Sequence, residues 1–411
     1  MTVDWCPPED ARRRRCLLLD IAVRYINPTR NLVPSLVAHV GDTAFFGPGY
    51  VSSEVLARGL AAFVAEQGPF DVVFATEFVV FARVDSLANV TKSFRQSYCT
   101  LVPLADLAAR ERILDDIEHL SCLKIALLLE SDFYNFSQAR TDALDRRFDL
   151  VAGINSQFFK SIRDLPDLAR EDFAATATEH WHEFVTRHQE RIIPLIHFVS
   201  GAEFDFTALA HRPADWCVPG TPYNARRRAR TALTKAGAHF SRGRPLPVVS
   251  VLNRLGLRPL SRWWFMTHYQ ESFRTEIRSA RYGFTCGSAL HWPIRKFLEI
   301  PALGAVLACE PCNGFEALGF RDGENAIVCP PEALPDLTRR LNRDLDAAQT
   351  IADAGRALVS RRHTLTARAA QVRHALELAL AGRWLGAVWR DGEMVFLGQP
   401  MPVAHSLTPT T

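Results

Sequence analysis

The chain is expected to fold as α/β, in two Rossmann-like domains, each a doubly wound parallel sheet between layers of helix. Three observations carry that expectation. Apolar runs such as residues 304–309 (GAVLAC) show no alternation, the pattern of a strand buried on both faces. Strand-like runs recur along the chain with segments of helical length between them, as βα units of a parallel sheet require. With 411 residues, the chain is long enough for two cores of ordinary size.

Residues 16–26 (CLLLDIAVRYI) read as the first strand and 29–40 as the helix after it. A second strand over 42–46 runs into Gly47-Pro48-Gly49, after which Ser52 or Ser53 caps a helix reaching residue 67. Further strands are expected over 70–77, 124–130, 149–154 and 192–199, with helices over 105–120, 137–148 and 173–189. Segment 200–213 crosses to a new sheet, whose strands are expected at 215–218, 282–286 and 304–309. Helices follow at 335–348, 350–361 and 364–381, then a hairpin over 389–396 on the Asp391-Gly392 turn. The domains expected are therefore 1–205 and 206–385, with 386–411 a terminal hairpin and tail.

Composition narrows the classes of function. A net charge of +3 does not mark the whole chain as a nucleic-acid binder. No apolar run approaches the ~20 residues of a membrane span, and residues 1–15 carry no apolar signal core, so a cytoplasmic protein is expected. Nine cysteines without regular spacing read as reduced thiols; Cys309-Glu-Pro-Cys312 lacks the second pair a zinc site needs. His180 and His182 point roughly 200° apart on a helix and make a poor metal clamp. Asp344-Leu-Asp346 lies among charges, where a solvated helix face explains it, so no metal site is expected.

Ligand chemistry concentrates in residues 281–328. There a strand, a Gly-Ser loop, a short helix with Arg295, Lys296 and Glu299, and strand 304–309 lead into the loop Glu310-Pro-Cys-Asn-Gly-Phe-Glu316. Open α/β sheets place ligands in loops at the carboxyl ends of their strands. Cations and a carboxylate close together on one helix suit a nucleoside diphosphate. The cations meet the phosphates, and the carboxylate holds the ribose diol through charge-assisted hydrogen bonds worth roughly 1.5 to 3 kcal/mol each. A helix start after Gly314 would add backbone N–H groups for an anion.

Two other clusters keep alternative readings. Arg226, Arg227, Arg228 and Arg230 follow a Gly-Pro loop at a strand's end, so phosphate binding and a solvated face are both open, because one helix cannot aim all four at one ligand. Residues 246–269 interleave Trp263, Trp264 and Phe265 with Arg254, Arg258 and Arg262. That mixture can rest on an anionic membrane surface, although core or inter-domain packing is the commoner role of such aromatics.

The string RKFLEIPALGAVLACEPCNGFEALGFRDGENAIVCPPEALPDLTRRL, residues 295–341, resembles the donor-binding half of GT-B glycosyltransferases, in particular those similar to spore-maturation glycosyltransferases. That branch reads basic-x-x-Glu, a small residue, Gly, an apolar strand, Gly-x-Glu and a Gly-x-(Glu/Asn) turn. FFGPGY (45–50), LLLESDFY (127–134) and CVPGTPYNARRRA (217–229) match more loosely, and the similarity is good over 210–380. The resemblance implies two Rossmann-like domains facing across a cleft, with a C-terminal helix returning to brace the first. It also implies transfer of a sugar from a nucleotide-diphosphate donor, without cofactor or metal, the phosphates held by basic residues and a helix N-terminus.

Position by position, Glu299 would hold the ribose and Lys296 or Arg295 the diphosphate. Glu316 and the backbone around Gly314 would face the sugar or the phosphates, with Arg226 also on the donor side. His291 stands eight positions before Glu299, where related retaining enzymes have an acidic residue, so retention and inversion both stay open. An inverting mechanism needs a base from the first domain. Asp132 and His197 are the candidates, with Glu77 behind them; a helix cap or turn would equally explain Asp132, and a satisfied core position His197. The acceptor expected is a saccharide, a lipid-linked molecule or a protein, and peripheral contact at the inner membrane face would suit the lipid-linked one. A non-catalytic nucleotide-sugar-binding module and a GT-B-shaped sugar-nucleotide epimerase are the other classes that fit.

Overall fold

The computed structural model describes residues 13–87, 98–99, 102–103, 105–129, 136–158, 179–238, 240–241, 251–252, 255, 257 and 262–398. Apolar runs without alternation become short strands with both faces covered. Six of them form one all-parallel sheet: β1 (Arg15–Leu19), β2 (Asp42–Phe46), β3 (Val72–Thr76), β4 (Leu123–Leu128), β5 (Leu150–Ile154) and β6 (Ile192–Leu195), in the order β2-β1-β3-β4-β5-β6. The register sets Leu17 against Ala44 on one side and Val73 on the other. Five more form the second sheet: β7 (Ala214–Cys217), β8 (Phe240–Ser241), β9 (Ala280–Thr285), β10 (Val306–Cys309) and β11 (Ile327–Val328), in the order β8-β7-β9-β10-β11. Both sheets thus run 2-1-3-4-5 from their outer edge, and strand order reverses beside the first strand. A crevice opens there at the carboxyl ends, because successive crossovers leave in opposite directions.

The helices that bear on the site are α1 (Pro28–Val40), α2 (Asn224–Lys235), α3 (Trp263–Arg278), α4 (Lys296–Ala302), α5 (Leu345–Arg362) and α6 (Leu365–Leu380). α6 packs back on α1 of the first domain, where Arg373 Nε donates to the Val40 carbonyl at 3.1 Å and Arg14 Nε to Glu377 at 2.9 Å. The hairpin β12 (Ala387–Arg390) and β13 (Glu393–Phe396) lies against β6, with Trp389 Nε1 on the Pro194 carbonyl. The end of the chain therefore braces the first domain. Among the described residues no helix is long and apolar enough to cross a membrane.

Several boundaries differ from expectation for local reasons. The first strand stops at Leu19, because the next residue, Asp20, turns its carboxylate into a buried cluster with Arg30, Thr76 and Tyr50. The chain resumes extended structure only at Arg24–Tyr25, paired antiparallel with Tyr98–Cys99. The expected break between helices at 349 falls at Asp344, whose carboxylate accepts from the Ala347 N–H at 2.9 Å and caps α5. Asp344 is thus a cap, where a mid-helix position was expected. After Gly314 the structure makes only a 3-10 turn, Glu316–Leu318, closed by Gly319 at φ 85°. The helix expected over 173–189 is described from His180 to Arg187.

Candidate active site

A cavity of about 300 Å³ opens where the two switch points meet. From the first domain the loop after β1 contributes Tyr25, Ile26, Asn27 and Pro28. From the second come Gly220, Thr221 and Tyr223 of the loop after β7, Ser288 and Ile294 after β9, and Arg295, Lys296 and Glu299 at the start of α4. One face of α3 completes the wall with Tyr269, Gln270, Phe273 and Arg274, which share that face by their three- and four-residue spacing. The position is the one that strand order dictates for ligands in doubly wound sheets.

The loop after β7 is shaped around the cations. Gly220 has φ +92°, and a Cβ there would stand 2.4 Å from Lys296 Cε and 3.1 Å from an Arg226 nitrogen. Only glycine lets the Lys296 stem lie against this backbone. Lys296 is half-buried, with its ammonium 5.3 Å over the Phe273 ring. Arg226 is fully buried and donates to the Thr221 carbonyl and to Thr285 Oγ1, each at 3.0 Å, while its Nε has no hydrogen-bond partner among the described residues. Arg230 donates to the carbonyls of Val218 and Gly220, Arg227 donates to the Pro222 carbonyl, and Arg228 pairs with Glu332 on the surface. The arginine cluster therefore divides: Arg226 and Arg230 brace the loop from below, and Arg228 lies on the solvated face.

Glu299 is 3% exposed yet stands in the cavity wall. Its Oε1 accepts from Arg295 Nε at 2.8 Å, and its Oε2 takes no hydrogen bond from the described residues. Arg295 does not turn outward. Its other nitrogens donate to Thr29 Oγ1 at 3.4 Å, to the Phe198 carbonyl and to the Glu203 carboxylate, so its guanidinium is fixed across the domain boundary. Burial pulls its pKa down, and Glu203 and Glu299 raise it beyond what burial removes. Adjacent residues on a helix point about 100° apart. Here Arg295 faces the opposite domain, and Lys296 faces the cavity.

The remaining candidates lie elsewhere. His197 is 1% exposed, with Nδ1 2.8 Å from Thr29 Oγ1, and it does not line the cavity. Glu77 is buried with Arg30 Nε at 2.9 Å; burial pushes its carboxyl pKa up, against the pull of Arg30. Asp132 lies outside the described residues. His291 is half-buried at φ 54°, and its carbonyl accepts from the Asn313 N–H at 2.9 Å. Gly314, at φ +87°, would press a Cβ to 2.6 Å from the Phe158 ring of the first domain, so it marks a domain contact. Glu316 is exposed, and neither it nor Gly314 lines the cavity. Cys309 and Cys312 are free thiols, and burial raises the pKa of both well above the ordinary cysteine value.

Sequence reasoning missed Tyr25 to Pro28, the α3 wall and Ser288. The 3–4 spacing of Tyr269, Gln270, Phe273 and Arg274 was a signal of a shared face, but not of what that face meets. One turn beyond Phe273 on the same face of α3, Glu276 is 8% exposed; burial pushes its carboxyl up to about 7, with Arg230 and Lys296 pulling it back. Core or inter-domain packing, the favoured role for these aromatics, holds in part: Phe265 packs with Ile26 of the first domain, and Arg24 lies 5.1 Å over the Trp263 ring. Trp264 is 70% exposed and Trp263 about half exposed, because the helix turns Met266 and Tyr269 inward.

Residues 264–374 match the family model described as glycosyl transferase-like. No curated protein matches the chain. Among solved structures, Anabaena HepE in complex with UDP and glucose is similar at 14% identity, covering 89% of this chain and 99% of that one, with a TM-score of 0.45. A glycosyltransferase from Rickettsia africae is 11% identical over 90% of this chain and 99% of that one, at 0.47. A sucrose-phosphate synthase from Thermosynechococcus elongatus is 13% identical over 90% and 100%, at 0.46. The segment matched by the family model holds α3, Lys296 and Glu299. That match lies across one wall of a cavity between two doubly wound parallel sheets, so residues 264–374 are similar to a glycosyl transferase-like domain.

Proposed function

We propose that the protein is a glycosyltransferase that takes a sugar from a nucleoside-diphosphate donor and passes it to an acceptor hydroxyl, with cationic side chains and backbone N–H groups in place of a metal at the phosphates. The observation that carries this reading is the pairing of Glu299 and Lys296 on one short helix in the wall of the cavity at the switch point. Glu299 Oε2, unclaimed by the described residues, accepts from the ribose diol, while Arg295 fixes Oε1. Lys296 meets the diphosphate. Gly220 and Thr221 bring bare backbone to the same phosphates, and Arg226 stands behind them as fixed positive charge. Such pre-set charge stabilises a departing diphosphate without reorganising during the reaction. His197 positions Thr29, and through it Arg295, with no direct role in proton transfer.

A thermal-shift panel of nucleoside diphosphates, followed by turnover assays with the matching nucleotide sugars, tests the proposal. A ligand at a hundred times its Kd stabilises by about 2.7 kcal/mol. The expected result is one preferred diphosphate and transfer or slow hydrolysis of its sugar. No shift with any nucleoside diphosphate would remove the donor assignment, and binding without turnover on any donor would mark a binding module.

A further inference from the structure

Three cations meet at Gly220. A Cβ there would stand 2.4 Å from Lys296 Cε and 3.1 Å from an Arg226 nitrogen, and the Gly220 carbonyl accepts from Arg230 Nη2 at 2.9 Å. Like charges this close repel, so the cluster gains from a carboxylate beside it. Glu276 supplies one. It lies one turn of α3, or about 4.5 Å, beyond Phe273 of the cavity wall, and Lys296 holds its ammonium 5.3 Å over that same ring. Burial and Arg226 lower the pKa of Arg230, and Glu276 opposes both.

Glu276 is nonetheless poorly provided for as an anion. It is 8% exposed, and its Oε1 is buried with no hydrogen-bond partner among the described residues. A carboxylate in such a place is costly when ionised and takes up a proton instead. Burial accordingly pushes this carboxyl up to about 7, with Arg230 and Lys296 pulling against it. The other titratable groups that feel its charge are the Cys217 thiol on β7 and the Tyr269 phenol on α3, both raised chiefly by burial and so neutral near pH 7. Arg24 and Arg281, on strands packed against α3, are engaged by Gln270 and Asp215.

We propose that Glu276 is a positioning residue for Lys296, its carboxyl serving as a proton-controlled counter-charge behind the phosphate-binding loop. Protonated, it leaves the three cations at Gly220 with their full charge for a diphosphate. Ionised, it offsets part of that charge and draws the Lys296 ammonium back toward α3. A diphosphate entering the cavity brings negative charge near the carboxyl and favours its protonated form, so binding takes a proton from solvent. This role rests on the donor reading, since it requires the phosphates to meet Lys296.

Calorimetric titration with UDP-, ADP-, GDP-, CDP- and dTDP-glucose tests the role. Both phosphates of these probes are diesters without an ionisation near neutrality, so a pH dependence around 7 belongs to the protein. For a probe that binds, the Kd is expected to rise about threefold or more from pH 6 to pH 8, and the heat at pH 7 to vary between buffers as proton uptake requires. The uptake is read on the wild-type protein and needs no variant. Glu276→Gln, which keeps the size of the side chain and does not ionise, is expected to keep the Kd near its pH 6 value throughout and to take up no proton. In Lys296→Ala the pH dependence is expected to shrink, which a carboxyl with a merely structural role would not produce. A Kd that is flat with pH in the wild-type protein, a slope that survives in Glu276→Gln, or proton release on binding would overturn the role of Glu276 while leaving the donor reading intact. Binding of none of the five probes would overturn both.

Discussion

Arg295 Nε donates to Glu299 Oε1 at 2.8 Å while the other nitrogens of the same guanidinium hold Thr29, the Phe198 carbonyl and Glu203 in the first domain. The carboxylate proposed for the ribose is thus oriented by a residue anchored in the opposite domain. The proposed donor site and the relative placement of the two domains share one side chain.

Removing that side chain leaves Glu203 and Glu299, both buried, without their common cation. Breaking a buried ion pair from one side costs about 3–5 kcal/mol. Arg295→Ala should lose stability of that order in urea denaturation, and Arg295→Lys should recover only part of it, because a point charge cannot span several acceptors as a guanidinium fork does.

Lys296 is half-buried, and its replacement should separate binding from stability. Lys296→Ala should weaken nucleoside-diphosphate affinity about tenfold or more, the worth of one charge-assisted hydrogen bond, and change stability by less than about 1 kcal/mol. Arg226→Ala should reduce both, since Arg226 is fully buried and braces the loop after β7. Calorimetric titration beside thermal unfolding reads the two effects independently.

Gly220→Ala tests the loop directly. The new Cβ would fall 2.4 Å from Lys296 Cε at φ +92°, and the flexible stem would give way before the backbone. Backbone strain of order 1–3 kcal/mol and displacement of the ammonium are both expected, so the variant should show the affinity loss of Lys296→Ala with lower stability. Gly314→Ala should destabilise as well, by crowding the Phe158 ring of the other domain at 2.6 Å.

Glu276 gives the folded protein a pH dependence. Its carboxyl is pushed by burial from the ordinary 4.5 up to about 7, so between those values the folded state holds a proton that the unfolded chain has released. Its contribution to stability is full below about pH 4.5 and is lost as the pH rises through 7. Glu276→Gln should flatten this part of the stability profile and raise stability at pH 8, as measured by denaturant midpoints across the pH range.

The parallel sheets were legible because a strand buried on both faces leaves a local mark, as in residues 304–309, which contain β10. The cavity was legible only in part. Which carboxyl-end loops meet is fixed by the 2-1-3-4-5 strand order, and no short stretch of sequence records that order. The loop of Glu310 to Glu316 drew attention by its composition, while the cavity is built from Gly220, Thr221, α3 and the start of α4. Arg295 and Lys296 were interchangeable on paper, and only packing against Thr29 and Glu203 separates them. Packing is the commoner role of aromatics such as Trp263 and Trp264, and how far each is exposed depends on which face of α3 turns inward.

The central claim is most directly tested by titrating the tightest-binding nucleoside diphosphate of the panel into the wild-type protein and Glu299→Gln. The substitution keeps the size of the side chain and an acceptor for Arg295 while removing the charge. A Kd raised about tenfold or more, consistent with loss of charge-assisted bonds of 1.5–3 kcal/mol, is the predicted result. An unchanged Kd in a folded variant would contradict it and place the ribose elsewhere.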